Sequence, residues 1–259
     1  ILAGTALLML PAATVDGAGA TFTDALFTIV SAVCVTGLSV QDTGTYWTFF
    51  GQAVILFAIQ VGGLGVVTAA ISLTVFSGCK IGLMQRNTMQ EALAAPQLKG
   101  IVQLVLFILK YVAIIELVGT LLLYTVFAPQ YGWVTGWWYA MFHAISAFCN
   151  AGFDVFGFLE PGASLITFQN DPVVLLTLGA LVIVGGLGFL VWEELAERKP
   201  FRRMTVYTRL VLCATAALLL SGWAVTCLVE WNNPATLGSM GLGGKLLNGF
   251  FQSVTLRTA

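Results

Sequence analysis

Long and short apolar stretches alternate along this chain. Trp47–Phe76, Ile101–Phe127, Pro172–Trp192 and Leu210–Val229 each reach the ~20 mostly apolar residues that a helix needs to cross a bilayer. The second carries Lys110 and Glu116, the other three are uncharged, and Ile1–Leu10 reads as the tail of a further span. Three shorter apolar segments, Phe22–Val33, Trp137–Phe148 and Leu246–Leu256, suit helices that dip into a membrane rather than cross it. Each is followed at once by small or polar residues: CVTGLS, CNAGFD and RTA. Non-helical backbone at membrane depth persists only inside protein or beside water.

The short segments repeat one another. SAVCVTGLSV at Ser31–Val40 returns as SAFCNAGFDV at Ser146–Val155, an offset of 115 from Gly37 to Gly152, and Ala151 matches Ala259 at an offset of 108. The segments after the first two turns also match, as QVGGLGVVT (Gln60–Thr68) and IVGGLGFLV (Ile183–Val191). The repeated unit is a span, a short helix, a glycine turn and a second span, as in membrane proteins built from parallel repeats. The expected division is residues 1–79 for a first pore unit with its first span cut, 101–194 for a second, and 210–259 for a third that stops at its turn, with linkers at 80–100 and 195–209. The chain starts inside an apolar run and stops after QSVTLRTA, which reads as an internal piece of a longer protein.

Composition fixes the class. Of 259 residues, 58% are hydrophobic and 9% charged, against roughly 25% charged in soluble domains. A multi-pass protein of the cell membrane, all-α, is expected. Lys80, Arg86 and Lys99 in one linker, and Arg198, Lys199, Arg202, Arg203 and Arg209 in the other, are eight of the eleven basic residues. The positive-inside rule makes both linkers cytoplasmic, so the short helices enter from outside. Trp133, Trp137, Trp138 and Trp231 then fall near outer interfaces. A net charge of -1 favours no nucleic-acid partner. A single histidine, cysteines without a CxxC pair, and the lack of a phosphate-loop or dinucleotide motif point away from an enzyme and from an organic cofactor.

A helix that dips into the membrane aims its C-terminus, with about half a negative charge and unpaired carbonyls, at the bilayer centre. Several such ends around one line make a cation site, and extended backbone beyond them can replace an ion's water shell with carbonyl oxygens. Side chains need not touch the ion, which lets Val35-Thr36-Gly37 and Asn150-Ala151-Gly152 differ while the form persists. The GGLG pairs at Gly62–Gly65 and Gly185–Gly188 are expected to serve close helix packing.

SAVCVTGLSV, FHAISAFCNAGFDVFG and FFQSVTLRTA, together with IQVGGLGVVT, QEALAAPQLKGIVQLVLFILKYVAIIELVG and VIVGGLGFLVWEEL, resemble the Trk/Ktr/HKT superfamily of potassium transporters, nearest to the Ktr membrane subunit. The resemblance covers essentially the whole chain. It implies span–pore helix–span units around a pseudo-fourfold axis, incomplete here, and potassium as the transported ion. It implies a filter lined by Val35, Thr36 and Gly37, by Asn150, Ala151 and Gly152, and by Thr258 and Ala259. Glycine at position 37 is the family's potassium-favouring choice. A homodimer in the lipid bilayer, with a cytoplasmic nucleotide-binding regulatory subunit beneath the basic linkers, is also implied. The leucine of TLRTA stands where relatives often have proline.

Three side chains are candidates for support. Glu116 lies mid-span, where a carboxylate needs a partner, and Arg257 at the end of the third short helix is a candidate for it. Asp154, just outside the second turn, either draws cations to the mouth or caps local backbone, and His143 on the second short helix reads as a packing residue. Two other readings stay open: a secondary transporter of another small solute, and a non-conducting membrane scaffold.

Overall fold

A computed structural model of the chain describes residues 1–65, 101–159, 162 and 164–258. Among these residues the fold is helical, and the only extended pairing is one antiparallel bridge, Thr14 to Trp47. The helices are α1 (Leu2–Leu8), α2 (Phe22–Val33), α3 (Phe49–Gly63), α4 (Ile101–Tyr131), α5 (Trp133–Phe148), α6 (Pro172–Gly186), α7 (Phe189–Ala196), α8 (Val206–Glu230) and α9 (Leu242–Thr258). The expected linker 80–100 and the tail of the first long span, from residue 66 to Phe76, lie outside the described residues.

Four helix starts have a capping side chain, which satisfies amides that the helix itself leaves open. Thr21 accepts from the amide of Asp24 at 3.2 Å and Thr48 from that of Gly51 at 3.3 Å. Asp171, just before Pro172, accepts from the amides of Val173 and Val174 at 2.9 and 3.2 Å. Thr205 accepts from the amide of Thr208 at 3.3 Å.

Length sorts the helices into two kinds. The 31 residues of α4 and 25 of α8 give about 46 and 37 Å at 1.5 Å per residue, enough for the ~30 Å hydrocarbon core. Both are apolar enough to cross a membrane. By contrast α3 and α6 have 15 residues each, about 22 Å. The expectation of an unbroken span over Pro172–Trp192 is therefore corrected: α6 stops at Gly186 and the chain turns by 100° into α7. The first unit does the same as far as it is described, with α3 ending at Gly63.

A glycine lies just past the end of each of these two helices. Gly65 and Gly188 sit at φ 82 and 89, the left-handed region that commonly ends helices and that glycine enters without a Cβ penalty. The amide of Gly65 closes on the carbonyl of Gly62 at 2.9 Å. After the second break, Trp192 folds back so that its indole N–H donates to the Val184 carbonyl at 3.0 Å, one of the acceptors freed at the end of α6.

The units pack in chain order. Within the first, α1, α2 and α3 contact one another; within the second, α4, α5 and α6 do; α8 and α9 pair in the third. Between units, α3 lies against α5 and α6 against α9. α3 and α6 are thus the walls on which the short helices of the second and third units rest. The main core runs continuously through the first two units, from Ile29, Ile55 and Ile59 to Phe127, Phe142 and Phe156.

Candidate ion-translocation site

The short helices α2 and α5 end alike. Each is capped by a cysteine, Cys34 or Cys149, in right-handed geometry. The next residue turns left-handed: Val35 at φ 55, Asn150 at φ 59. Two backbone bonds then close the end. Val35 N–H reaches Ala32 O at 3.3 Å and Thr36 N–H reaches Ser31 O at 2.9 Å; Asn150 N–H reaches Ala147 O at 3.0 Å and Ala151 N–H reaches Ser146 O at 2.8 Å. This double closure is the Schellman motif. Two residues later the chain is left-handed again, at Gly37 (φ 76) and Gly152 (φ 73). Similar letters at an offset of 115 have folded into the same backbone.

The two turns meet. A side chain on Gly37 would place its Cβ 2.5 Å from the Ala151 carbonyl oxygen and 3.5 Å from Gly152 Cα. Beyond the turns the two strands of chain stay together: a Cβ on Gly44 would press on the Val155 carbonyl at 2.5 Å, and one on Gly157 on the Asp42 carboxylate. Of the expected lining residues, Thr36 and Gly152 are exposed, Val35, Gly37 and Asn150 half-buried, and Ala151 buried. Thr258 is the last residue of α9, so it is helical where Asn150 is not, and Ala259 lies outside the described residues.

The GGLG pairs hold the helix ends in place, as expected of packing glycines. In each unit the first glycine abuts its own short helix: a Cβ on Gly62 would overlap the Val33 carbonyl, and one on Gly185 the Phe148 carbonyl. The second glycine abuts the next unit's short helix: Gly63 against Cys149, Gly186 against the Arg257 guanidinium at 2.5 Å. The third ends the helix. Close packing and termination together account for the motif.

The expected partnership of Glu116 with Arg257 does not form. Glu116 Oε1 accepts from Gln60 Nε2 at 2.9 Å, across the boundary between the first and second units. Arg257 donates from Nη1 to Thr215 Oγ1 at 3.3 Å, and its buried Nε and Nη2 find no partner among the described residues. The reason is position: each group sits at a different boundary and meets the polar side chain nearest to it. Asp154 caps local backbone, accepting from the Phe156 amide at 3.1 Å. His143 packs, its ring stacked on Phe156 at 4.2 Å and its Nδ1 bonded to the Tyr139 carbonyl at 2.7 Å. A cavity of about 440 Å³ opens beside the second turn, lined in part by Ser146, Gly152, Asp154, Leu178, Asn248 and Gln252.

Gln60, Trp192, Ser31 and Ser146 were not singled out from the sequence. Thr36 Oγ1 donates to Ser31 Oγ at 2.9 Å, and Ser146 Oγ donates to the Phe153 carbonyl at 2.7 Å. The two serines could have been found, since they hold the same place in the repeated phrase.

Comparison with known proteins decides the family. A family described as "TrkH: Cation transport protein" matches residues 3–259. The chain belongs to that family. Among curated relatives, the potassium/sodium uptake protein NtpJ of Enterococcus hirae is 39% identical over all of this chain and 56% of its own length. The Ktr system potassium uptake protein B of Bacillus subtilis is 42% identical over all of this chain and 57% of its own. Its namesake from Vibrio alginolyticus is 41% identical, again over the whole chain and 56% of its own length. The chain thus spans a little over half the length of these relatives. The apolar helices, the short helices with capped, meeting turns and the bent pair α6–α7 are consistent with the membrane pore-unit architecture expected of such a cation transport protein.

Proposed function

We propose that this chain forms part of a potassium path across the cell membrane, with the repeated turns as its selectivity filter. The observation that carries the reading is the meeting of two matched turns, Gly37 against Ala151, at the ends of two short helices. Those ends bring a partial negative charge of about one half each to the same place. Left-handed φ at Val35, Gly37, Asn150 and Gly152 alternates with ordinary φ at the residues between. In a strand, successive residues face opposite ways; the alternation is what would bring successive carbonyls to one side, as an ion replacing its water shell requires.

In this reading Val35, Thr36 and Gly37, Asn150, Ala151 and Gly152, and Thr258 with Ala259 contribute the lining. Residues 1–79, 101–194 and 210–259 are three of the units around a pseudo-fourfold axis. The names of the relatives, potassium uptake and potassium/sodium uptake, support a monovalent cation as cargo. The ion needs no organic cofactor and no covalent step to pass. We also place the protein in the membrane as a homodimer, with a cytoplasmic nucleotide-binding regulatory subunit beneath the linkers that carry Arg198–Arg203.

The test is Gly37→Ser in the full-length protein, reconstituted in vesicles. A serine Cβ presses on the Ala151 carbonyl at a left-handed residue, so potassium-over-sodium selectivity should fall by about tenfold or more, the equivalent of some 1.4 kcal/mol. Unchanged selectivity with measurable flux would sink the filter. Strict coupling of flux to another solute would favour a secondary transporter, and absence of flux from the wild-type protein a scaffold.

A further inference from the structure

We infer that Glu116 is a positioning residue for the second filter turn, acting through Gln60; the inference rests on the filter reading above. A carboxylate accepts hydrogen bonds only, whereas a glutamine amide has one donating and one accepting end. Because Glu116 Oε1 takes the bond from Gln60 Nε2 at 2.9 Å, the amide is oriented and its Oε1 must face the other way. There it meets the thiol of Cys149, which donates to it at 3.9 Å.

Cys149 is the cap of α5 and the residue before left-handed Asn150. It is gripped from two sides by the last turn of α3. Gln60 holds its sulfur, and Gly63 fits so closely that a Cβ there would overlap the Cys149 side chain and come within 3.2 Å of its Cα. Three helices from two units thus converge on the residue where the second turn begins: α3 through Gln60 and Gly63, α4 through Glu116, and α5 through Cys149. Breaking the chain at any link frees the Cys149 side chain, and with it the direction in which Asn150 and Ala151 leave the helix.

The role is one of orientation rather than charge, and that makes it testable. In full-length protein, Gln60→Leu and Cys149→Val should each lower potassium-over-sodium selectivity by about fivefold, the worth of roughly one hydrogen bond. Combining them should add little, because the residues act as one unit. Glu116→Gln keeps an accepting oxygen for Gln60 and should restore most of the selectivity that Glu116→Leu loses. Cys149→Val and Gln60→Leu read the same link if Glu116→Leu does not insert. Equal loss in Glu116→Gln and Glu116→Leu would overturn the inference in favour of a purely electrostatic role. Wild-type selectivity in both Gln60→Leu and Cys149→Val would overturn it outright. Gly37→Ser run alongside separates the two ideas: if it alters selectivity and the Gln60 and Cys149 variants do not, the filter stands and the positioning role falls.

Discussion

The boundary between the first and second units and that between the second and third are built on the same GGLG, yet different groups meet it. At the first, Gly63 abuts a small cysteine, and Gln60 and Glu116 bridge the units. The core there is continuous. At the second, Gly186 abuts a long arginine, whose partner Thr215 belongs to the arginine's own unit. The apolar contact there is a small cluster, Val182, Leu219 and Val254, beside the 440 Å³ cavity. The glycines keep the backbones close in both places, while the side chains around them vary. What the repeat preserves is space for main chain at the tip of each short helix, and that is also what a site made of main-chain atoms requires.

The sharpest way to break this comparison is to fill the space. Gly62→Ala and Gly185→Ala each put a methyl on the backbone carbonyl of a short helix, Val33 or Phe148. Neither carbonyl can move without moving the turn. Each variant should lose about 3 kcal/mol, the upper range for overpacking, read as thermal unfolding in detergent, and should lose ion selectivity with it. Gly186→Ala should cost far less, about 1 kcal/mol, because it meets the tip of a flexible guanidinium. Equal losses at Gly185 and Gly186 would mean that the Arg257 guanidinium is held as firmly as the Phe148 backbone.

Trp192 is next. It is buried, its ring tilted against that of Phe148 with centroids 5.5 Å apart, and its N–H bonded to the Val184 carbonyl at the helix break. Trp192→Ala should cost about 3 kcal/mol through the cavity it leaves, whereas Trp192→Phe, which keeps a ring but loses the N–H, should cost about 1 kcal/mol. An equal loss in the two variants would show that the hydrogen bond, which both lack, and not the packing holds the bend.

The polar contacts should separate the boundaries again. Removing Gln60 takes away the one side-chain partner of the Glu116 carboxylate among the described residues, so Gln60→Leu should cost about 2 kcal/mol. Arg257→Met deletes two donors that find no partner among the described residues, along with one 3.3 Å bond. It should cost less than about 1 kcal/mol, since removing unsatisfied buried groups offsets the lost bond. Unfolding midpoints of the two variants, measured side by side, decide the point.

The repeated phrase and the short apolar segments were legible because they rest on sequence period and length: Phe22–Val33 is a helix end to end, and Gly37 and Gly152 take equivalent places. Hydropathy could not show that α6 stops at Gly186, since the residues on either side of the break are equally apolar and the cause is one backbone dihedral at Gly188. Nor could it pair Glu116, whose partner lies 56 positions away on another helix. A charged residue in a span announces that it needs a partner but not which one, and the pairing with Arg257 failed for that reason.

A small predicted effect tests the turns directly. Val35 and Asn150 occupy the same left-handed position after the cap, at φ 55 and 59. Asparagine tolerates that region, whereas a β-branched residue there is an outlier, and the left-handed conformation costs ordinary residues about 1–2 kcal/mol. The first turn therefore holds strain that the second does not, and part of what holds it is the bond from Thr36 Oγ1 to Ser31 Oγ at 2.9 Å, for which the second turn, with alanine at 151, has no counterpart. Val35→Asn should raise stability by about 1 kcal/mol and Asn150→Val should lower it by a similar amount, both read as shifts in the unfolding midpoint. If Val35→Asn stabilises while Thr36→Ala, which cuts the brace, destabilises only when Val35 is present, the strain and its restraint are one device. If the two substitutions add independently, Val35 is simply tolerated and the turns differ in composition alone.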